Sequence, residues 1–502
     1  MRAPGTTASF PAPVGGLNAR DSLASMKATD AVVMENWFPD PTSVSVRKGY
    51  IEWSTGYANP VQTLMRYAPT SGAYKMFAAS GTGFYDATAQ GAVGAPVVTG
   101  LTNAQWCYTN IITPGGSFLW CVNGVDNGKL YEGSTWADVS ITGVASSAIA
   151  QVNVFGNRLF LVEKNRLRVW YLAVQSIAGA ATQFDLSTIF TRGGYLVAMN
   201  TWSVDAGSGL DDQAVFVSSE GEVAIYKGID PTSWQKIGMY YIGRPIGRNC
   251  LIKMAGDCLL LCEGGIFPLS RALQSATIDR AVALTDKIQD AISQSVSLYT
   301  QNFGWQMCLY PDQNQLWLNV PMLNSIGQSV QYVMNTITGS WTKFTNMNGF
   351  CWETVGNGIY FGGMTTVYKA WTGQFDILGQ VQADVLQAFS NFKTQARQKY
   401  FTMVRPSIVA DGAPSILYSL NLDFLQQPAS GALAFQPVIN AMIWGSMVWG
   451  SMIWGGGLQQ ISQWQTVGGI GRYAALRMTV QSNGSSVQWN ETGFLYEIGG
   501  VL

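Results

Sequence analysis

"FLWCVNGVDNGKLYEG", residues 118–133, reads as an apolar strand, a turn, and a second strand that carries a tyrosine. Its centre, "GVDNGKL" (124–130), has the outline of a phosphate loop but not the chemistry. Three residues rather than four separate Gly124 from Gly128, and Leu130 stands where a Ser or Thr would have to reach the magnesium. A hairpin turn is the reading the residues support.

The same design recurs as "YKMFAASGTGFYDA" (74–87), "RLFLVEKNRLRVWYL" (158–172), "AVFVSSEGEVAIYKG" (214–228), "CLLLCEGGIFPLS" (258–270), "QLWLNVPMLNSIGQSVQYVMN" (315–335) and "GIYFGGMTTVYKA" (358–370). With Phe77, Trp120, Phe160, Phe216, Leu260, Trp317 and Tyr360 as register marks, the steps are 43, 40, 56, 44, 57 and 43. Four of the steps match one propeller blade, and the two long ones leave room for insertions. Several units continue into a tryptophan strand ("STWADVS", "TSWQKIG", "GSWTKFT"), which predicts a third strand per unit. A hairpin with an apolar face it cannot cover alone is satisfied when such units pack face to face around an axis. The expectation is an all-β chain with an irregular β-propeller of six or seven blades over 51–378. A run of unrelated hairpins in two sandwiches is the alternative.

Composition agrees with this class. Charged residues make up 12% of the chain, while Gly (55), Trp (18), Tyr (21) and Phe (22) are abundant, as in turn-rich β proteins. Net charge is −1, so no global field draws in nucleic acid. There is no histidine, which removes His-based triads and His-ligated zinc or iron sites, and no cofactor or metal is expected. The seven cysteines are odd in number and scattered among strand-like residues, and they read as buried thiols made in a reducing cytoplasm. No apolar run has the length of a membrane span, and "MRAPGTTASFPAP" has no apolar signal core, so a soluble product without a secretion route is expected.

Residues 1–50 read as an extended N-terminal arm laid on a neighbour, with one short helix candidate, "ATDAVVMENW", capped at Thr29 or Asp30 and stopped before Pro39. Residues 379–502 read as a C-terminal β-sandwich-like domain or small barrel. Its hairpins turn at Asp411-Gly412 and Asn483-Gly484, and "QVQADVLQAFSNF" (380–392) fits helical or strand spacing alike. Between the hairpins lies a loop, residues 442–456, "MIWGSMVWGSMIWGG", which sets Trp444, Trp449 and Trp454 five residues apart. Neither helix nor strand aligns such a step. Exposed, these rings would be a large sticky patch, so the loop reads as an internal plug or a subunit contact.

Other motifs carry less. "SVDAGSG" (203–209) resembles an Asp-box turn but lacks its closing aromatic, and it reads as a surface loop. Asp211, Asp212 and Glu220 are acid–base candidates without distinguishing context, and solvated carboxylates are the plainer reading. The sequons at Asn483 and Asn490 mean nothing without secretion. The densest basic cluster, Lys393, Arg397, Lys399 and Arg405 in "FKTQARQKYFTMVRP", is a candidate contact for DNA or a partner, weighed against a solvated or subunit-facing patch.

"PVGGLNARDSLASMKATDAVVMENWFPDPTSVSVRKGY" (13–50) resembles the N-terminal part of nozzle proteins of short-tailed bacteriophages, the tail tubular protein B family. "RQKYFTMVRPSIVADGAPS", the tryptophan pentads and "VQWNETGFLYEIGGVL" resemble their C-terminal part. Relatives often carry an acidic residue after each pentad tryptophan, where this chain has Gly445, Gly450 and Gly455. The resemblance implies a structural virion protein of the tail, assembled in the host cytoplasm, and not an enzyme. It implies a homo-oligomeric ring, usually of six copies, below an adaptor ring, beside tail fibre or spike proteins and near the host outer surface. Double-stranded DNA would pass through without sequence recognition, and Trp37 would join the pentads as an assembly contact or plug. The runner-up is a propeller-type glycan-binding or glycan-cleaving host-attachment protein. An internal virion protein ejected with the genome fits the β-rich composition poorly.

Overall fold

A computed structural model describes residues 5–205, 210–272, 280–323, 326–377, 379–394, 397–433 and 458–499. Almost all of its regular structure is strand. Two units emerge: Glu52–Gln331 with Met347–Lys369, and Met1–Ile51 with Tyr332–Asn346 and Ala370–Leu502.

Seven antiparallel sheets follow one another along the larger unit, with first strands Val61–Tyr67, Cys107–Thr113, Ile149–Phe155, Leu196–Asp205, Leu251–Met254, Gln306–Tyr310 and Cys351–Val355. Each first strand lies against the first strand of the next sheet, and the seventh lies against the first. The circle therefore closes, which makes the unit a β-propeller-like ring. Strand Tyr50–Thr55, from early in the chain, pairs with Thr366–Ala370 to complete the last sheet. Of the two long steps in the repeat, that between the fifth and sixth sheets holds the helix Gln289–Tyr299.

Packing explains why the second strands are continuously apolar. In Gly116–Val122, Leu119 and Cys121 join Met65, Phe77 and Phe84 of the first sheet, while Phe118, Trp120 and Val122 join Val152, Leu159 and Leu161 of the third. Both faces are covered, so both sets of alternating side chains must be apolar. The last and first sheets pack in the same way, Tyr360 and Val367 against Leu64, Met76 and Ala78.

The smaller unit is β-sandwich-like. One sheet orders Trp37–Pro39, Val44–Val46, Val487–Ile498, Lys399–Ala410 and Gln459–Ile461, with Thr6–Pro11 also on Val487–Ile498 and Gln465–Gly471 also on Lys399–Ala410. The other contains Trp341–Phe344, Asp30–Glu35, Gln382–Gln387, Ala474–Gln481, Ser415–Leu422 and Gly431–Ala432 in that order. Trp37–Pro39 lies against Trp341–Phe344 and Gln382–Gln387, and Ser415–Leu422 against Gln465–Gly471, which brings the sheets face to face.

Three expectations are corrected here. The first fifty residues are not an arm laid on a neighbour: Thr6–Pro11 pairs in register with Val487–Ile498, Thr6 opposite Tyr496 and Pro11 opposite Glu491. The helix candidate is the strand Asp30–Glu35, paired with Gln382–Gln387, which resolves the ambiguous 380–392 segment as strand too. Its β-branched Val32 and Val33 pack with Leu23 against Leu386, Phe389 and Ala475, and this tertiary gain overrides a marginal helical propensity. Finally, Asp411-Gly412 and Asn483-Gly484 do not close hairpins, because each joins a strand of one sheet to a strand of the other. The two crossings support each other: Asp411 accepts the Ser486 N–H at 2.7 Å, and the Asn483 side chain donates to the Ala413 carbonyl at 3.1 Å.

Candidate functional site

The residues singled out in the sequence separate in the structure. Trp444, Trp449 and Trp454 lie outside the described residues. Trp37 is fully buried within its own chain, edge-on to Trp489 at 6.2 Å between ring centroids, so of its two readings the assembly contact is corrected and the internal one is left. It serves the core that joins the first fifty residues to the last strand.

The basic cluster also divides. Lys393 and Arg397 are exposed, and the Arg405 guanidinium stacks over the Trp464 ring at 5.0 Å. Lys399 is fully buried, its ammonium donating to the carbonyls of Thr394, Arg397 and Arg472 at 3.1, 3.2 and 2.9 Å. That corrects Lys399 as a contact for DNA or a partner: it ties down the loop that displays Lys393 and Arg397. Of the acidic candidates, the Asp211 side chain lies outside what the structure describes, and Asp212 and Glu220 are not a pair. Asp212 accepts from Ser203 within one hairpin, and Glu220 pairs with Arg244. Asp212 sits near one end of strand Leu210–Ser218 and Glu220 beyond the other, roughly 20 Å or more at strand rise, far outside the spacing of a glycosidase acid and base. "GVDNGKL" begins in a turn held by Asn123, whose side chain accepts the N–H groups of Val125 and Asp126. All seven cysteines are free and buried, and burial pushes the Cys107 thiol up to about 11.

In the smaller unit, Arg47 is the most constrained side chain. Its guanidinium donates to Asn36 Oδ1 (2.8 Å), the carbonyls of Lys48 (3.0 Å) and Thr345 (2.9 Å), and both carboxylate oxygens of Asp376 (2.8 and 2.6 Å). Every N–H of the fork is used, as a fully buried arginine requires. It stitches together three stretches far apart in sequence.

The larger unit holds a cavity of about 540 Å³ where the seven first strands come together. Each of those strands contributes to its wall. Neighbouring first strands belong to different sheets and share no ladder, and side chains bridge them instead. Gln151 donates to the Met199 carbonyl at 3.0 Å and accepts the Met199 N–H at 3.3 Å, and Gln306 grips Trp352 likewise at 2.7 and 3.0 Å. Asn110 spans Arg66 and Ala68, and Thr63 spans Ala104 and Trp106.

Glu353 marks the seam between the last and first sheets. Tyr108, on the second sheet, donates its hydroxyl to the Glu353 carboxyl, which also accepts the Thr354 N–H at 3.0 Å. Burial holds the Glu353 pKa above its ordinary value, against the opposing pull of the Tyr108 hydrogen bond and the Arg66 charge. Glu353 also lines a second cavity of about 390 Å³ that includes Arg66 and Asp312. None of these axial residues stood out in the sequence. A Gln near the start of three of these short strands, Gln62, Gln151 and Gln306, ahead of the apolar run, was the available signal.

No known family model and no curated protein matches the chain. Among solved structures, it is similar to the computationally designed Ika8 protein at 9% identity, covering 71% of this chain and 99% of that one with a TM-score of 0.37. It is also similar to BBS1N in complex with ARL6DN, at 10% identity over 65% of this chain and 98% of that one, with TM-scores of 0.37 in crystals soaked with mercury and 0.42 in those soaked with lead. Scores this low leave the fold to rest on the strands themselves.

Proposed function

We propose that this chain is a structural subunit of the tail of a short-tailed bacteriophage, a nozzle protein that forms a homo-oligomeric ring, of six copies by the resemblance, through which DNA leaves the virion. One observation carries the reading. The two stretches that resemble the nozzle family build one sandwich together through residues more than 400 positions apart: Ser45 stands opposite Gln488, Val44 opposite Trp489, and Trp37 packs on Trp489. A resemblance confined to the two ends of the chain thus corresponds to a single folded module.

The charge of the chain agrees with a conduit. The net charge of −1 suits a passage along which DNA slides, since dense positive charge would retain it. In this reading an adaptor ring lies above, fibres or spikes lie alongside, and the exposed Lys393 and Arg397 are surface contacts for DNA or a partner. Electron microscopy of the purified protein and of virions tests it. Rings that match the tail tip support it, and a strictly monomeric particle absent from tails overturns it.

A further inference from the structure

We propose that the sandwich of one copy joins the next edge to edge: the outer edge of Thr6–Pro11 pairs with the outer edge of Gln465–Gly471 of a second copy, so that one sheet runs on from subunit to subunit. The inference rests on the ring reading and says where its copies meet. Both strands close off the same sheet, on opposite sides, and among the described residues neither pairs with a second strand. Thr6–Pro11 is antiparallel to Val487–Ile498, which is antiparallel to Lys399–Ala410, which is antiparallel to Gln465–Gly471. The two edges therefore run in opposite senses. A second copy set beside the first with its strands in the same sense meets it as one more antiparallel pair, and the alternation continues unbroken.

The backbone groups fit this pairing. The Ala12 N–H donates to the Asn490 carbonyl at 3.0 Å, so alternation turns Phe10, Ala8 and Thr6 toward Val487–Ile498 and leaves the N–H and C=O of Thr7 and Ser9 facing outward. Pro11 fills the third outward slot, where an edge strand tolerates the loss of an N–H, and its carbonyl accepts from the Gln387 amide at 3.2 Å. On the far side the same alternation, carried through the opposed pairs Glu497–Tyr400 and Tyr400–Ile470, turns the backbone of Ile470 outward. Free edges are commonly guarded by charge or proline. Neither strand holds a charged residue, and "QTVGGIG" (465–471) holds no proline either. It sets Ile470, 62% exposed, beside Tyr400, 42% exposed, at a rim that a neighbouring strand covers. Six residues against seven, both uncharged, the edges match in length and polarity, and every copy carries both. The contact is head-to-tail, and repeated it closes into a ring or runs on as a fibre.

Thr7→Pro and Ile470→Pro each remove one outward donor and spare the ladder inside the sheet. Sedimentation velocity and electron microscopy of the full-length protein should show rings for the wild type and, for each variant alone, assembly weakened about tenfold or more. An equimolar mixture of the two variants should halt at pairs, because each copy keeps the one intact edge that the other can use. In single copies of Thr7→Pro the Ile470 amide should exchange rapidly with deuterium. If Ile470→Pro lacks the native circular dichroism, Ile470→Lys takes its place and guards the edge by charge. A protected Ile470 amide in the single copy means that the chain covers this edge itself, and it overturns the proposal. So does a variant that pairs with itself, which marks a contact between like edges. Rings unchanged by both substitutions overturn it too and leave the nozzle reading standing. A wild type that stays monomeric in solution removes this contact, whereas the nozzle reading falls only if tails also lack the protein. Open fibres built through these edges and absent from tails keep the contact and remove the nozzle reading.

Discussion

Arg47 and Glu353 are buried in opposite senses, and substitution should separate them. Arg47→Met removes the partner of Asp376 and leaves a carboxylate that is only 7% exposed without its counter-charge. The expected loss is about 3–5 kcal/mol, and Arg47→Lys should recover little of it, because an ammonium cannot fork to two carboxylate oxygens while reaching three further acceptors. Urea denaturation reads both. Glu353 instead carries a cost. Its carboxyl holds a proton more tightly folded than unfolded, so its contribution to stability is complete below its ordinary 4.5 and lost as pH rises through the raised value. Glu353→Gln keeps an acceptor for Tyr108 and has nothing to titrate. The wild type should therefore gain melting temperature relative to the variant as pH is lowered from neutral toward 4.5, with the largest difference in favour of the variant at neutral pH. A difference independent of pH would show that burial does not control this carboxyl.

Between elements, the amide bridges do what a ladder does within a sheet. Gln151→Leu removes the acceptor of the Met199 N–H, while the Met199 carbonyl keeps the Asn153 amide at 3.0 Å, and should cost about 1–2 kcal/mol; Gln306→Leu removes the side-chain partner of both the N–H and the carbonyl of Trp352 and should cost about 1–3 kcal/mol. The two sites serve different pairs of sheets, so the double variant should lose nearly the sum, within about 0.5 kcal/mol, in chemical denaturation. These strands also show how far the sequence could be read. All seven register marks, from Phe77 to Tyr360, fall on the second strand of successive sheets and are buried, because a strand covered on both faces must be apolar throughout. The first strands went unread. Several place polar residues at the axis, Gln62, Gln151, Asn153, Asn200 and Gln306 among them, which breaks the apolar run that marks a strand, and so the cavity was missed with them. The turn dipeptides Asp411-Gly412 and Asn483-Gly484 located chain reversals correctly but could not say whether the chain returned within its own sheet, since both outcomes use the same local backbone.

Across the whole chain, the ring of seven sheets is an insertion within the sandwich, which begins with Thr6–Pro11, takes Trp341–Phe344 from the middle, and ends with Val487–Ile498. No propensity announces that the first fifty residues belong with the last hundred, because the decisive pairing spans nearly the full sequence. It has a consequence that an arm would not have. Removing residues 1–36 takes away Asp30–Glu35, an interior strand between Trp341–Phe344 and Gln382–Gln387, and the edge strand Thr6–Pro11. An interior strand leaves two unpaired edges and an open core behind it, so the sandwich should unfold rather than lose a peripheral segment. The ring keeps Tyr50–Thr55, which completes its last sheet, and should survive. Limited proteolysis of the truncated protein should therefore leave a resistant fragment from about residue 50 to about residue 370, with the C-terminal portion degraded, whereas the intact chain resists in both regions. A truncated protein whose C-terminal portion stays protected would mean that the first 36 residues are dispensable to the sandwich, and the single-module argument for the nozzle reading would fall with it.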